Sequence, residues 1–272
     1  MAETHDYRRY TRAARAAWNE VMPLHQRAAR ARLDQAFLQP GHVRLDEDTR
    51  RALERAGVSG QAVAHLCCNN GVELLSIRNL GAGRCVGFDV SDLAIDEARA
   101  RAALCCIDCE FVHADVYEIP PDYDGAFDRA FISAGALGWL PDLPRFFARA
   151  AALLRPGGVL LIREIHPVAE MLPFDGDHEL DPLRIHEPYF VPEPYVEYGG
   201  LDYVGGTAYE SELPQYWFVH TLGDIVTALV ESGLAVCYLE EQPRDISAGH
   251  RRQANSGVAI PLSYTLLAKK AC

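Results

Sequence analysis

The stretch "HLCCNNGVELLSIRNLGAGRCVGFDVS", residues 65–91, decides the fold of this chain. An apolar run, "QAVAHLC" at 61–67, leads into its polar turn, and a helical pattern then extends from Gly71 to Gly81. A second apolar run, "RCVGFDVS" at 84–91, ends at Ser91 or Asp92, either of which can cap a following helix. A strand, a helix and a second strand at this spacing predict a βαβ unit with parallel strands.

The same alternation continues on both sides of this unit. Helices are predicted over residues 7–38 and over "DEDTRRALERAG", 46–57. Further strands are predicted in 109–120, 127–135, 155–167, 234–243 and 261–270, with helices between several of them. We therefore expect an α/β three-layer sandwich, Rossmann-like, whose mostly parallel sheet is covered by helices on both faces.

Composition restricts the class of partner and the location. Acidic residues outnumber basic ones by 38 to 26, a formal net charge of −12, whereas a nucleic-acid surface needs clustered Lys and Arg. A small neutral or cationic partner fits better than nucleic acid. There is no apolar run long enough for a membrane span, and the charged N-terminus "MAETHDYRRYTRAARAAW" lacks the apolar centre of a signal peptide. We therefore expect a cytoplasmic protein.

The eight cysteines do not suggest a disulfide framework or a metal site. Two adjacent pairs are awkward to bridge, and a chain of 272 residues does not need such bridges. Cys106 and Cys109 form a Cys-x-x-Cys, but the second pair that a structural zinc site needs does not follow. No metal is expected, and a metal protein built on these two cysteines is the weaker alternative.

Residues 168–215 interrupt the alternation of strands and helices. This segment holds seven aromatic residues and many acids, with Arg184 as its single basic residue. Long irregular segments in compact domains are usually functional or disordered, and the aromatic content favours an ordered lid. We expect Tyr195 and Tyr203, with Trp217 just beyond, to contact a substrate. A contact between two copies of the chain is the alternative use of these aromatics.

Two carboxylates stand at the ends of successive predicted strands. Asp89 ends the second strand, eighteen residues beyond Gly71, where a carboxylate accepts hydrogen bonds from a ribose diol. Asp115 ends the third strand, where its carboxylate can accept a hydrogen bond from an adenine amine, with the Val116 amide nearby. Ligands bind beyond the carboxyl ends of parallel strands, so the pair predicts an adenosine site.

The turn itself indicates which adenosine cofactor is bound. It lacks the Gly-x-Gly-x-x-Gly of a dinucleotide loop, and neither Lys nor Arg lies between Gln61 and Ile77 to meet a phosphate. An adenosine without phosphate groups, which carries a sulfonium and an amino-acid tail, suits this loop better than a dinucleotide does.

Four segments of the chain resemble the motifs of a known superfamily. The segments "AVAHLCCNNGVELLSIRNLGAGRCVGFDVS", "EFVHADVYEIP", "FISAGALGWLPDL" and "LLRPGGVLLIREIHP" stand in the order and spacing of class I S-adenosylmethionine-dependent methyltransferases. They resemble a bacterial small-molecule branch with "LCCNNG", "EIHP", "YWFVHT" and a "SYTLLA" ending. The first motif departs from the common "hhDhGxGxG" form: His65 stands where an acid is usual, and Cys68 and Asn70 where Gly or a small residue is usual.

The resemblance implies a seven-stranded sheet with an antiparallel last strand, S-adenosylmethionine as cofactor, and a set of cofactor contacts. It places the methionine moiety at the turn, the ribose after the second strand, the adenine after the third strand and the sulfonium after the fourth, with two side chains of the N-terminal helix closing over the cofactor. The methionine contacts are Cys67, Asn69 and Gly71, and the ribose contacts are Asp89, Val90 and Ser91. The adenine contacts are Asp115 and Val116, the sulfonium contacts are Ser133 and Ala134, and the covering side chains are Trp18 and His25.

A methyl acceptor that must lose a proton needs a base. His166, at the end of the fifth strand, and His220, in "YWFVHT", are the candidate bases, and Glu164 is placed to orient one of them. The structural alternatives are that His166 satisfies turn amides and that His220 caps the following helix.

These observations predict a methyltransferase that acts on O, N or S of a small molecule. We expect a helical cover over 1–60, a cofactor-binding core over 61–167, a substrate lid over 168–219 and a C-terminal helix with two strands over 220–272. A nicotinamide-dependent oxidoreductase and a non-catalytic S-adenosylmethionine-binding protein of the same fold are the alternatives. The identity of the acceptor does not follow from the sequence.

Overall fold

The structure is a computed structural model that describes residues 6–272. The first five residues of the predicted N-terminal cover lie outside the described residues. No helix in residues 6–272 combines the length and the apolar character needed to cross a bilayer.

A seven-stranded sheet forms the centre of the molecule, with strands in the order β3-β2-β1-β4-β5-β9-β8. β1 pairs with β2 and β4 in parallel, as β2 does with β3 and β4 with β5, whereas β9 runs antiparallel to both of its neighbours. The predicted antiparallel last strand is therefore confirmed. The strands are β1 Val63–Leu66, β2 Cys85–Asp89, β3 Glu110–His113, β4 Phe127–Ile132, β5 Leu154–Ile165, β8 Leu234–Gln242 and β9 Ser263–Lys270.

Helices cover both faces of the sheet, which confirms the predicted three-layer sandwich. They are α1 Tyr7–His25, α2 Ala31–Phe37, α3 Glu47–Ala56, α4 Val72–Asn79, α5 Asp92–Leu104, α6 Leu143–Leu153, α7 Leu222–Glu231 and the short α8 Arg251–Ala254. The core divides into two clusters: α6 and α7 bury one face around Phe88 and Phe146, and α3, α4 and α5 bury the other around Leu74 and Phe131. Apolar side chains on both faces explain the near-continuous apolar runs of β1 and β2.

The N-terminal helices run across the edge of the sheet at which the parallel strands end. α1 and α2 are joined without interruption by a π-helical segment, Gln26–Arg30, just after Pro23. A residue inserted into the α-helical repeat at such a point turns the later side chains toward a new face. α1 touches α5 and the turn that follows β4, so this helix forms the roof of whatever lies at the strand ends.

The segment beyond residue 168 contains more regular structure than its sequence predicts. A short two-stranded hairpin, β6 Tyr195–Tyr198 with β7 Pro214–Trp217, lies outside the main sheet. The third strand is shorter than predicted: its pairing with β2 ends at His113, opposite Asp89, and in the turn that follows the Asp115 carboxylate accepts the Tyr117 amide at 3.0 Å.

Candidate functional site

The turn between β1 and α4 takes conformations that usually require glycine. Cys67 and Asn69 both have positive φ, at 57° and 46°. Asn tolerates this left-handed region because its side chain bonds locally, and Asn69 Oδ1 accepts the Asn70 amide at 2.6 Å. The Asn70 side chain in turn donates to Glu97 Oε1 at 3.2 Å. The asparagines therefore supply, through side-chain bonds, a turn that other sequences build from glycines.

Gly71 is the one position in this turn that only glycine can occupy. Its φ is +76°, and a Cβ there would lie 2.6 Å from the Phe111 ring and 2.9 Å from Ala98. The close contact lets the turn pack onto β3 and α5, so Gly71 lies beneath the turn and not on the cavity wall.

Gly71→Ala should lower the free energy of unfolding by about 2–4 kcal/mol, since a strained left-handed alanine costs ~1–2 kcal/mol and overpacking adds a similar amount. Urea unfolding followed by circular dichroism measures the change. Gly60→Ala is the matched control, because Gly60 also has positive φ but has open space around its Cβ position. Equal losses in the two variants would contradict a packing role for Gly71.

A cavity of about 410 Å³ opens at the strand ends beneath α1. Ten of the twelve predicted cofactor contacts line it, namely Trp18, His25, Cys67, Asn69, Asp89, Val90, Asp115, Val116, Ser133 and Ala134. The other two support the wall from behind. Gly71 does so as described, and the buried Ser91 caps α5 by accepting the Ala94 amide at 3.1 Å.

Asp89 is held rigidly at the end of β2. Its Oδ2 accepts the Asn69 amide at 2.7 Å and its Oδ1 accepts the Ser91 amide at 2.8 Å. Burial raises the pKa of this carboxyl, and the two amides act in the opposite direction. Each carboxylate oxygen has a second lone pair, so the side chain can still accept hydrogen bonds from a ligand in the cavity.

The two adjacent thiols of the turn are not reactive groups. Burial, followed by the charge of Asp89, raises the pKa of both Cys67 and Cys68 well above that of a free thiol. Cys68 packs its sulfur against Gly87 of β2, where a Cβ would lie only 2.7 Å from it. Because the thiolate is the nucleophile and the metal ligand, protonated thiols here act as packing groups.

The predicted bases do not reach the cavity. His166 is buried; its Nδ1 accepts the Val168 amide at 3.0 Å, and its Nε2 donates to Glu241 at 2.8 Å. His220 Nε2 donates to the Leu140 carbonyl at 2.8 Å, and burial lowers the pKa of its imidazole. Because these ring nitrogens are occupied away from the cavity, we do not retain either histidine as a base.

Glu164 holds a turn instead of orienting a histidine. Its carboxylate accepts the amides of Gly135 at 2.9 Å and Leu137 at 3.0 Å. That turn follows β4 and carries Ser133 and Ala134 on the cavity wall. Glu164 therefore shapes the cavity from behind, which is a positioning role that its place at a strand end did not reveal.

Only one of the three predicted substrate contacts lines the main cavity. Tyr203 does so, with its ring 4.9 Å from that of His25. Tyr195 donates to Glu187 at 2.7 Å in the hairpin. Trp217 packs directly over Gly138 and lines a separate cavity of about 30 Å³, room for roughly one water, together with Glu164 and His220. Tyr195 and Trp217 are thus not brought to the cofactor cavity.

Several cavity residues were missed by the sequence analysis. Trp139 follows β4 and lines the cavity, and its ring packs against that of Trp18 with the two centroids 5.5 Å apart. The others include Glu73 of α4, Arg32 of α2, and Arg44, Val204 and Ile246 from three separate loops. Glu73 carried a signal that could have found it, since the second residue of a helix that begins at a cofactor turn often faces the ligand.

Known proteins share both the sequence pattern and the fold. Residues 63–158 match a family described as a methyltransferase domain. A phthiotriol/phenolphthiotriol dimycocerosates methyltransferase of Mycobacterium ulcerans is 28% identical over 144 residues, 53% of this chain and 51% of that protein. The chain thus spans about half the length of the curated relatives it matches.

Two solved structures cover most of the chain. An S-adenosylmethionine-dependent methyltransferase from Mesorhizobium loti superposes with a TM-score of 0.59 at 24% identity, covering 81% of this chain and 96% of that one. The 1,6-didemethyltoxoflavin-N1-methyltransferase of Burkholderia thailandensis gives a TM-score of 0.59 at 14% identity, covering 100% and 93%. Residues 63–158 are thus similar to a methyltransferase domain, and the chain shares the fold of solved S-adenosylmethionine-dependent methyltransferases.

Proposed function

We propose that this protein binds S-adenosylmethionine in the cavity at the strand ends and transfers its methyl group to a small-molecule acceptor. One observation carries the proposal: a single cavity brings together Asp89, Asp115 and a turn whose side chains carry no positive charge. Two carboxylates suit the hydroxyls and the amine of an adenosine, and the absence of Lys and Arg from residues 62–76 suits a cofactor without phosphate.

The donor set of the cavity fits the parts of this cofactor. Asp89, held by two backbone amides, would accept hydrogen bonds from the ribose hydroxyls. Asp115 would accept one from the adenine amine beside Val116. The turn at Cys67 and Asn69 would lie along the methionine moiety. When bound, S-adenosylmethionine supplies an electrophilic methyl group on a sulfonium.

The residues of the chain would act mainly by positioning. The Trp18 ring packs against the Trp139 ring, and the Tyr203 ring centroid lies 6.4 Å from that of Trp18, so three clustered aromatic rings form one part of the cavity wall. Such a wall excludes water and holds an acceptor close to the reacting carbon, which can supply much of the rate of a bimolecular transfer.

The segment that includes Tyr203 would serve as the substrate lid. His25 Nε2 donates to the Leu201 carbonyl at 2.9 Å and lies 3.6 Å from Asp202, with both side chains buried. This contact ties the segment to α1. We infer the division into cover, core, lid and C-terminal elements from these contacts, and contact between two copies of the chain through the aromatic segment is the other use it could serve.

Binding and turnover test the proposal separately. Titration calorimetry of the full chain with S-adenosylhomocysteine should show one site with a dissociation constant in the micromolar range. Incubation with S-adenosylmethionine labelled on its methyl group, against a panel of small metabolites, should transfer the label. Absence of binding at millimolar ligand would contradict the proposal, and binding of NADH in its place would favour an oxidoreductase.

A further inference from the structure

Two side chains lie next to each other at the cavity, His65 of β1 and Glu73 of α4. Position 65, where the superfamily motif has an acid, is histidine in this chain. The His65 ring is fully buried in β1 against Phe131, and burial lowers its pKa to about 3, so the ring is neutral. The strand end therefore carries no negative charge at this position.

A carboxylate from the next element lies beside the His65 ring. Glu73, the second residue of α4, lies with Oε2 3.5 Å from His65 Nε2. Ser133, at the end of β4, has its hydroxyl 3.2 Å from the same nitrogen and is also hydrogen-bonded to Glu73. Glu73 and Ser133 line the cavity, whereas His65 lies behind them. Three elements of the fold thus converge on this carboxylate.

The hydrogen-bonding pattern indicates where the protons lie. His65 Nδ1 is buried without a hydrogen-bond partner, while Nε2 faces two oxygen atoms. The proton of the neutral ring therefore belongs on Nε2, which donates toward Glu73 and Ser133. Burial raises the pKa of the Glu73 carboxyl, and the hydrogen bond from Ser133 acts in the opposite direction and helps to fix the direction of the carboxylate. The Glu73 side chain keeps 36% of its surface accessible.

The charges that line the cavity match an amino acid. Glu73, Arg32 and Arg44 line it, whereas Asp89 at the end of β2 and Asp115 just after β3 follow strands on the other side of β1. The ammonium of a zwitterion needs a carboxylate, and its carboxylate needs cationic groups on the opposite side. Both signs of charge are present on the walls here.

We propose that Glu73 binds the ammonium group of the cofactor's methionine moiety, with His65 and Ser133 holding the carboxylate in place. An acid on α4 would thereby take over at a place where this chain has lost the acid of β1. The inference rests on the proposed function, because it assigns one residue to one part of that cofactor.

Two ligands separate this role from a general effect on the turn. S-Adenosylhomocysteine carries the amino-acid tail, and 5′-methylthioadenosine lacks it. By calorimetry, Glu73→Gln should weaken binding of S-adenosylhomocysteine by roughly 10- to 100-fold, the effect of losing a hydrogen bond to a charged group. Binding of 5′-methylthioadenosine should change less than about twofold. Glu231→Gln, at the exposed end of α7, is the control that should alter neither affinity.

A comparison within the unaltered protein keeps the test independent of how the variant folds. The desamino analogue of S-adenosylhomocysteine should bind the unaltered protein 10- to 100-fold more weakly than the parent ligand, again from the loss of one charge-assisted hydrogen bond. Equal affinity for the two would overturn the assignment, as would equal weakening of both ligands in Glu73→Gln. If the unaltered protein binds neither adenosine ligand, the proposed function itself fails, which is a different result.

Discussion

Replacement of Asp89 by alanine is expected to weaken binding of S-adenosylhomocysteine by roughly 150- to 20,000-fold. The Asp89 carboxylate lines the cavity at the end of β2 and retains lone pairs for a ligand after accepting two backbone amides. Hydrogen bonds to a charged group contribute about 1.5–3 kcal/mol each, and a ribose diol offers two, so a loss of about 3–6 kcal/mol follows. Calorimetric titration of the purified variant measures it.

Alanine at this position also leaves the Asn69 and Ser91 amides without their acceptor. Asp89→Asn separates the two effects, because its carbonyl oxygen keeps one acceptor while the charge is lost. Asp92→Ala is the matched control: Asp92 is an acid three residues away that pairs with Arg15 at 3.0 Å outside the cavity. We expect Asp92→Ala to bind normally. An Asp89→Ala variant that is folded and binds with unchanged affinity would contradict the adenosine site.

The fold and the convergence of Asp89 and Asp115 on one cavity could be predicted because both depend on local sequence. Strand and helix alternate with clear periodicity around residues 61–167, and parallel strands must end at one edge of the sheet. Asp89 and Asp115 are the residues at two such ends, so their convergence followed from topology alone. The turn was harder, since its asparagines and cysteines replace glycine by side-chain hydrogen bonds that only coordinates reveal.

The predicted bases were misplaced because a strand end fixes where a backbone lies and not where a side chain points. His166 stands at the end of β5, yet its ring turns toward Glu241 of β8. His220 directs its ring to Leu140, on the side of the small second cavity. Trp217 was misplaced for a related reason, since the hairpin of β6 and β7 was not expected. Glu73 was missed because its role depends on His65 and Ser133, from two other elements.

Arg101 illustrates a contribution to the site from a residue outside the cavity. It lies on α5 with 1% of its surface exposed. Its guanidinium donates to the Asn70 carbonyl in the turn at 2.9 Å, pairs with Asp34 of α2 at 2.8 Å, and pairs with Glu97 one helical turn earlier. The buried Arg101 guanidinium thus connects three parts of the fold: the turn at Asn70, helix α5 through Glu97, and helix α2 through Asp34.

Removal of this cation is expected to destabilise the whole protein. Arg101→Ala would leave Glu97, itself 3% exposed, as an unpaired buried charge, and breaking a buried pair in this way costs about 3–5 kcal/mol. Urea unfolding followed by circular dichroism should show that loss. Arg99→Ala on the same helix is the control: its pair with Asp96 is exposed, and such pairs contribute about 1 kcal/mol or less. Since the Asn70 carbonyl also loses its donor, the folded fraction of Arg101→Ala should bind S-adenosylhomocysteine more weakly than Arg99→Ala does. Equal stability of the two variants would show that solvent, and not Arg101, stabilises the charge of Glu97.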